Sequence, residues 1–232
     1  MQRIKCRVEE LREYVDTIWH VALTPQQAIS FKPGQYLLVV MSDSDKRPFS
    51  IANSPTRPGV LELQIGATPE NAYAGQVLAR MREQGEIEVE LPAGKAFLRD
   101  ESPRPLILMA GGTGFSYARS ILEYLIDTGS KRPVFFYWGV RQAHWLYELE
   151  QMQQWERDYA PLTFIPVVQE PDADWTGKSG LVHKAIMDDF VSLHDYDIYV
   201  AGRFEMAGAA REEFKILGAE PERIFGDAYE FI

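Results

Sequence analysis

One stretch of about twenty residues limits what this chain can fold into. Residues 106–109 (LILM) form a continuous apolar run, typical of a strand buried on both faces of a sheet. The sequence G-G-T-G follows at 111–114, and apolar residues then recur at helical spacing from Tyr117 to Leu125. A strand that turns through glycines into a helix directs backbone amides at one point, which suits an anion such as a phosphate. Because G-G-T-G matches neither G-x-G-x-x-G nor the P-loop pattern, a tight turn without a ligand remains an alternative.

The chain after residue 100 alternates strands with helices. Proline and glycine at 92–94 and 102–105 place a domain boundary near residue 100. The alternation predicts a Rossmann-like parallel sheet with helices on both faces, whose ligands bind at the carboxyl ends of the strands. Further strands are predicted at 134–139, 163–168, 197–202 and 223–225, and helices at 146–155, 181–190 and 206–217.

Three of these strand ends carry glycine: residues 111–114, 139–141 and 202–206. Each alone is an ordinary strand-to-helix loop. Three such loops on one edge of a sheet favour a dinucleotide site.

The first hundred residues are rich in short strands. These are predicted at 17–23, 34–41, 61–65 and 86–91, with one helix carrying Val77, Leu78 and Met81 between the last two. Short strands separated by turn signals predict a small antiparallel β-barrel. The predicted fold class is therefore β + α/β, with an antiparallel barrel at 1–100 and a Rossmann-like domain at 101–232.

Two segments of the barrel are candidates for ligand binding. The sequence R-P-F-S at 47–50 contains Pro48, which cannot donate to a sheet ladder and so marks an edge or break in the sheet. Such a break can turn a cation, a ring and a hydroxyl toward one cleft. Composition alone favours the alternative, a strand that starts at a surface loop with Arg47 solvated. Gly66 and Ala67 at a strand end leave room for a flat ligand, or simply end the strand.

Composition excludes several classes of function. The net charge of −10 argues against a surface for nucleic acid. Cys6 is the only cysteine, and the four histidines are scattered, so we expect no disulfide, iron–sulfur cluster or metal site. The first residues lack the apolar core of a signal peptide, and no apolar run approaches the ~20 residues of a membrane span. These patterns predict a cytoplasmic protein without membrane contact.

The whole chain resembles the ferredoxin–NADP⁺ reductase superfamily. Within it, the chain is similar to bacterial NAD(P)H:flavin oxidoreductases of the Fre and LuxG type. The resemblance rests on motifs that occur in order along almost the full length: G-Q-Y-L, D-K-R-P-F-S, A-G-G-T-G-F-S-Y-A-R-S-I-L, Y-W-G, D-I-Y-V-A-G-R-F-E-M and F-G-D-A-Y-E-F-I.

This resemblance implies a flavin site on the barrel. It places the Ser50 hydroxyl near flavin N5, the atom that receives hydride, which makes Ser50 the candidate catalytic residue. It also implies that Arg47 binds the polar tail of the flavin and that Tyr36 lies beside the ring. The implied flavin-binding residues are Tyr36, Arg47, Pro48, Phe49, Ser50, Ile65, Gly66 and Ala67.

The resemblance also implies an NAD(P)H site on the second domain. Thr113 and its neighbouring glycines would face the nicotinamide and pyrophosphate, and Arg141 and Arg203 the adenosine side. Ala201 stands where many superfamily members have cysteine, so we expect no thiol chemistry. The implied NAD(P)H-binding residues are Gly111, Gly112, Thr113, Gly114, Gly139, Arg141, Gly202, Arg203, Phe204 and Met206.

The activity so implied is hydride transfer from NAD(P)H to FMN, riboflavin or FAD. No adenine-anchoring feature for FAD is evident, so the flavin is expected as a substrate and not as a prosthetic group. Reduced flavin would pass to a monooxygenase, a luciferase, ferric iron or a cobalamin, and we expect a monomer or a weak homodimer. The alternatives are a reductase with tightly bound flavin that serves a protein partner, and a nucleotide-binding module without activity. The preference between NADH and NADPH stays open.

Overall fold

The computed structural model describes residues 1–69 and 71–232, which divide into two compact units. The first unit comprises Met1–Leu98 and Arg119–Asp127, and the second comprises Arg99–Ala118 and Thr128–Ile232. Each unit contains one six-stranded sheet. Neighbouring strands are antiparallel in the first sheet and parallel in the second, which confirms the predicted fold class.

The first sheet is a barrel. Its order is β4-β3-β6-β1-β2-β5. Just beyond the fourth strand, the Ala52 amide donates to the Glu62 carbonyl of the fifth strand (2.7 Å), which joins the two end strands of this order. The elements of the unit are β1 (Gln2–Val15), β2 (Ile18–Pro25), β3 (Tyr36–Val40), β4 (Lys46–Ser50), β5 (Leu61–Gly66), α1 (Ala72–Gln84) and β6 (Glu86–Ala93).

The barrel core follows from alternation along the strands. In β6, Ile87, Val89 and Leu91 are buried while the intervening glutamates point outward. The predicted apolar stripe of α1 packs into the same core. Burial of each such side chain stabilises the barrel by roughly 1.5–3 kcal/mol.

Strand β1 was not predicted. Ile4 and Cys6 are buried between exposed Arg3, Lys5 and Arg7, which is a two-residue alternation. Register shifts between Val8/Glu10 and Glu13/Val15 in its pairing with β2 break that alternation further along. The periodic signal is therefore confined to the first half of the strand.

The second sheet is open and has the order β10-β9-β8-β7-β11-β12. Its strands are β7 (Leu106–Gly111), β8 (Val134–Val140), β9 (Leu162–Val168), β10 (Lys178–Ser179), β11 (Asp197–Ala201) and β12 (Ile224–Phe225). The helices are α2 (Phe115–Asp127), α3 (Leu149–Asp158), α4 (Val182–Asp189) and α5 (Phe204–Ile216). After β10 the chain crosses back to the other side of β7, so the topological switch point lies between the carboxyl ends of β7 and β11.

Both faces of this sheet are covered. On one face Phe115, the first residue of α2, packs against Phe136 and Trp138 of β8. On the other, Ile107 and Met109 of β7 form a core with α4 and α5. Successive side chains of a strand point to opposite faces, which explains why the central strand β7 is apolar throughout.

The first residues of two predicted helices shift by two or more positions. Helix α3 begins at Leu149 and not at 146, because the amide of Leu146 closes a 3₁₀ turn on Ala143. Helix α5 begins at Phe204, two residues earlier than predicted. It is followed at Gly218 by the left-handed conformation (φ 82°) that suits glycine there. Within residues 1–69 and 71–232, no helix has the length and hydrophobicity of a membrane span.

Candidate active site

The predicted flavin segment forms the end strand β4. Its register with β3 places Ser50 directly opposite Tyr36, and both side chains are half-buried. Phe49 packs against the barrel core, whereas Pro48 is exposed, as expected for proline on an end strand. The structure thus places Ser50 and Tyr36 as neighbours across the two strands, at one end of the β3–β4 pair.

The Arg47 side chain is buried and hydrogen-bonded within its own unit. Its guanidinium donates to both carboxylate oxygens of Asp45 (2.9 and 2.6 Å), to the Tyr73 carbonyl (2.5 Å) and to Gln76 Oε1 (2.8 Å). It also lies 4.3 Å from the centroid of the Tyr73 ring. The bonds to Asp45 raise the pKa of Arg47 above its usual value, although burial opposes them. Arg47 therefore fixes the loop before β4 to helix α1.

The second predicted flavin segment lies at the end of β5. Ile65 is buried in the barrel core, directly before the two small residues that end the strand. Gly66 and Ala67 are half-buried; the Ala67 amide donates to the Thr17 carbonyl (2.8 Å), and Asn71 donates to the Gly66 carbonyl (3.2 Å). Small residues held in this way leave a flat, rigid surface.

Most glycines at the switch point are needed for packing. A Cβ on Gly114 would stand 2.5 Å from the Ala201 carbonyl oxygen, and a Cβ on Gly111 would stand 2.5 Å from the Met206 sulfur. The same methionine fills the space beside Gly202. These residues bring the turns after β7 and β11 into direct contact, so the predicted residues do converge on one point.

Gly112 and Thr113 lie on the outer side of this contact. Gly112 is exposed and has a left-handed backbone (φ 54°). Apart from its two chain neighbours, no described residue has an atom within 4 Å of a Cβ built on it. Its carbonyl points inward and accepts a hydrogen bond from the indole of Trp138 (3.0 Å). Trp138 was not among the predicted site residues. The sequence feature that could have identified it is a tryptophan at the end of an apolar strand, because the N–H of a buried indole requires a hydrogen-bond partner.

The turn after β8 combines a packing residue with an ion pair. A Cβ on Gly139 would stand 2.6 Å from that of Val182 in α4, so this glycine serves helix packing. Arg141 is exposed, and its Nε donates to Glu170 at the end of β9 (2.9 Å). The acidic partner was missed because it lies 29 residues further along the chain.

The start of α5 presents the remaining predicted residues to solvent. Arg203 is the N-cap residue of α5, and Phe204 follows it. Both are exposed, and the Phe204 ring lies 6.0 Å from that of Phe231. The predicted NAD(P)H residues therefore line the carboxyl ends of three adjacent strands, β8, β7 and β11.

Comparison with known proteins shows the family and the fold of the chain. Residues 108–212 match the oxidoreductase NAD-binding domain family. A Vibrio harveyi protein named NAD(P)H-flavin reductase is 48% identical over 99% of both chains. An Aliivibrio fischeri protein of the same name is 46% identical over 99% of both chains. A ferredoxin–NADP⁺ reductase from Neisseria gonorrhoeae, solved with FAD and NADP, superposes with a TM-score of 0.83 over 97% of this chain and 98% of its own. Its identity of 16% shows the shared fold alone. The chain belongs to the NAD(P)H-flavin reductase family and has the fold of the ferredoxin–NADP⁺ reductase superfamily.

Proposed function

We propose that this protein is an NAD(P)H-dependent flavin reductase, an oxidoreductase whose substrates are a reduced nicotinamide nucleotide and a flavin. The observation that carries the proposal is the 48% identity to a flavin reductase along the whole chain. The match to the oxidoreductase NAD-binding family supports the nicotinamide half. We assign flavin binding to residues 1–100 and NAD(P)H binding to residues 101–232.

The two bound ring systems supply the redox chemistry, in which hydride passes from nicotinamide C4 to flavin N5. The protein then needs no strong acid or base, because orientation alone can lower the barrier by roughly 7–11 kcal/mol. Ser50 is our candidate catalytic residue, with its hydroxyl orienting N5. Its half-buried position opposite Tyr36 fits this role, since a shielded hydroxyl keeps a fixed direction.

We propose that the flavin is a substrate and not a prosthetic group. The bonds of Arg47 to Asp45 and to helix α1 support this, because they occupy four of its five N–H donors and leave little of the guanidinium for a flavin phosphate. Recognition then rests on the ring system, for which exposed Pro48 and the flat segment at Gly66 and Ala67 are suited. Riboflavin, FMN and FAD should therefore have similar KM values.

On the nucleotide side, the open space beside Gly112 fits a pyrophosphate that must approach the backbone closely. We assign the contact with the pyrophosphate to Gly112 and Thr113. Released reduced flavin would serve an acceptor such as a flavin-dependent monooxygenase or a luciferase.

Steady-state oxidation of NADH and NADPH, measured with each of the three flavins, tests the activity. No oxidation with any flavin contradicts the proposal. Desalting the purified protein tests the substrate role: a yellow protein after desalting means that flavin is tightly bound, and the substrate assignment is then wrong.

Ser50→Ala tests the catalytic assignment. We expect kcat to fall roughly 10- to 100-fold, the worth of one hydrogen bond to a group that gains charge, with little change in KM for NAD(P)H. Ser44→Ala is the matched control, because Ser44 is exposed in the loop before β4 and contacts Ser42. Equal losses in kcat and in nucleotide affinity, or no loss, refute the role of Ser50.

A further inference from the structure

The indole of Trp138 is fully buried beside the glycine turn that follows β7. In the parallel register of β7 and β8, Trp138 lies opposite Ala110, one residue before the turn begins. Its Nε1 donates to the Gly112 carbonyl at 3.0 Å. The Phe115 amide donates to the same carbonyl, so that oxygen accepts two hydrogen bonds from inside the protein.

The aromatic neighbours of Trp138 fix the direction of this bond. The Phe115 ring stacks on the indole, with 3.9 Å between centroids and 20° between planes. Tyr147 meets the indole edge-on at 5.0 Å and 82°. An indole held on its face and its edge cannot rotate, so its N–H keeps pointing at the turn.

The orientation of one carbonyl determines that of the next amide. The carbonyl of Gly112 and the N–H of Thr113 belong to one planar trans peptide, in which the two groups point in opposite directions. Because the carbonyl faces the buried indole, the Thr113 N–H faces away from it, toward the exposed side of Gly112. The left-handed conformation of Gly112 (φ 54°) is the backbone state in which this peptide is held.

From this geometry we infer that Trp138 is a positioning residue, whose indole N–H holds the Gly112–Thr113 peptide so that the Thr113 amide donates to the pyrophosphate of NAD(P)H. The inference rests on the proposed function for the identity of the nucleotide. Trp138 itself touches no substrate. Its effect is to preorganise a donor that would otherwise have to be oriented when the nucleotide binds.

Trp138→Phe tests the inference, because phenylalanine keeps an aromatic ring against Phe115 and lacks the N–H. We expect KM and the dissociation constant for NADH and NADPH to rise about three- to tenfold, the range for one hydrogen bond. KM for flavin and kcat should not change. Tyr137→Phe is the matched control: it removes a hydrogen-bonding hydroxyl from the same strand, but on the opposite face, where that hydroxyl donates to Asp189. It should leave KM for NAD(P)H unchanged.

Dihydronicotinamide riboside, which has no phosphate, separates the pyrophosphate role from a general disturbance of the turn. With this substrate the wild type and Trp138→Phe should have equal KM values. A rise in KM for the riboside equal to that for NADH would overturn the assignment to pyrophosphate. Unchanged KM and dissociation constants for NADH and NADPH would overturn the positioning role altogether.

A second variant covers the case in which Trp138→Phe does not fold. Site-specific replacement of Trp138 by β-(3-benzothienyl)alanine keeps the bicyclic shape and removes only the N–H, and the same increase in KM is expected. Direct titration with NADH and NADPH needs no turnover, so the inference is testable even if flavin reduction is absent. Loss of activity with intact, Trp138-dependent nucleotide binding would contradict the proposed function alone.

Discussion

Replacing the glycines of the 111–114 turn one at a time should separate packing from backbone conformation. At Gly114, a Cβ would stand 2.5 Å from the Ala201 oxygen, 2.6 Å from the Ala201 carbonyl carbon and 2.9 Å from the Gly202 nitrogen. Ordinary contacts are about 3.5 Å or more, so the two turns must move apart by about 1 Å. All three atoms are backbone and no side-chain rotation relieves the clash.

Alanine in place of either of the other two glycines should destabilise the protein less. At Gly112 a Cβ meets open space among the described residues, but alanine with a left-handed backbone costs about 1–2 kcal/mol. At Gly111 the backbone is extended (φ −113°) and the obstacle is the flexible side chain of Met206. We therefore expect the free energy of unfolding to fall by about 3 kcal/mol in Gly114→Ala, by about 1–2 kcal/mol in Gly112→Ala and by less than about 1 kcal/mol in Gly111→Ala.

Urea unfolding followed by circular dichroism measures these differences as shifts in midpoint at constant slope. Gly75→Ala is the control, because this residue lies inside α1 with no described atom within 4 Å of an added Cβ. It should stabilise the protein by about 0.5–1 kcal/mol. If Gly114→Ala were as stable as the wild type, or less affected than Gly112→Ala, the packing argument would be wrong.

Three further predictions concern charged groups. Asp197→Asn should lower the free energy of unfolding by about 3 kcal/mol, because it leaves Arg132 without its buried, negatively charged partner (3.0 Å). A loss below about 1 kcal/mol, which is typical of an exposed ion pair, would contradict this. Burial raises the pKa of Glu62, but the neighbouring arginines outweigh it and hold that pKa below normal. The resulting stability is present above about pH 4.3 and is lost below it, so the Tm curves of wild type and Glu62→Gln should converge in acid, whereas parallel curves would refute this. Glu170→Gln frees Arg141 and should raise the NADPH-to-NADH ratio of kcat/KM up to about fivefold, and an unchanged ratio would count against Arg141 as an adenosine contact.

Much of the fold follows from local sequence patterns. The alternation in β6 predicts a strand buried on one face, and the apolar run in β7 predicts a strand buried on both. The structure confirms both predictions. Strand β1 was not predicted, because its two-residue alternation is interrupted where its pairing with β2 shifts register. Such irregularities arise from pairing between strands, which a single strand's sequence does not contain.

The second half of α2 shows a further feature that the local sequence does not predict. Residues 119–127 belong to the barrel unit, where Arg119 donates to the Ala52 carbonyl (2.8 Å) and Glu123 accepts from the Ser54 amide (2.6 Å). In the sequence, Arg119 and Glu123 form an i,i+4 pair that is typical of a solvated helix face. Their burial depends on partners more than fifty residues away, so no local pattern identifies it.

The G-G-T-G segment allowed two interpretations from sequence, a tight turn or a phosphate site, and the structure gives each glycine its own role. Gly111 and Gly114 let the turns after β7 and β11 touch, which is a packing requirement that holds with or without a ligand. Gly112 makes no such contact, yet it has the left-handed conformation that alone strictly favours glycine. A turn built only for packing would not require glycine at this open position, because a conformation accessible to alanine would be more stable by about 1 kcal/mol. The carbonyl of Gly112, drawn inward by Trp138, accounts for that conformation, and the amide that it turns outward is what a phosphate would use.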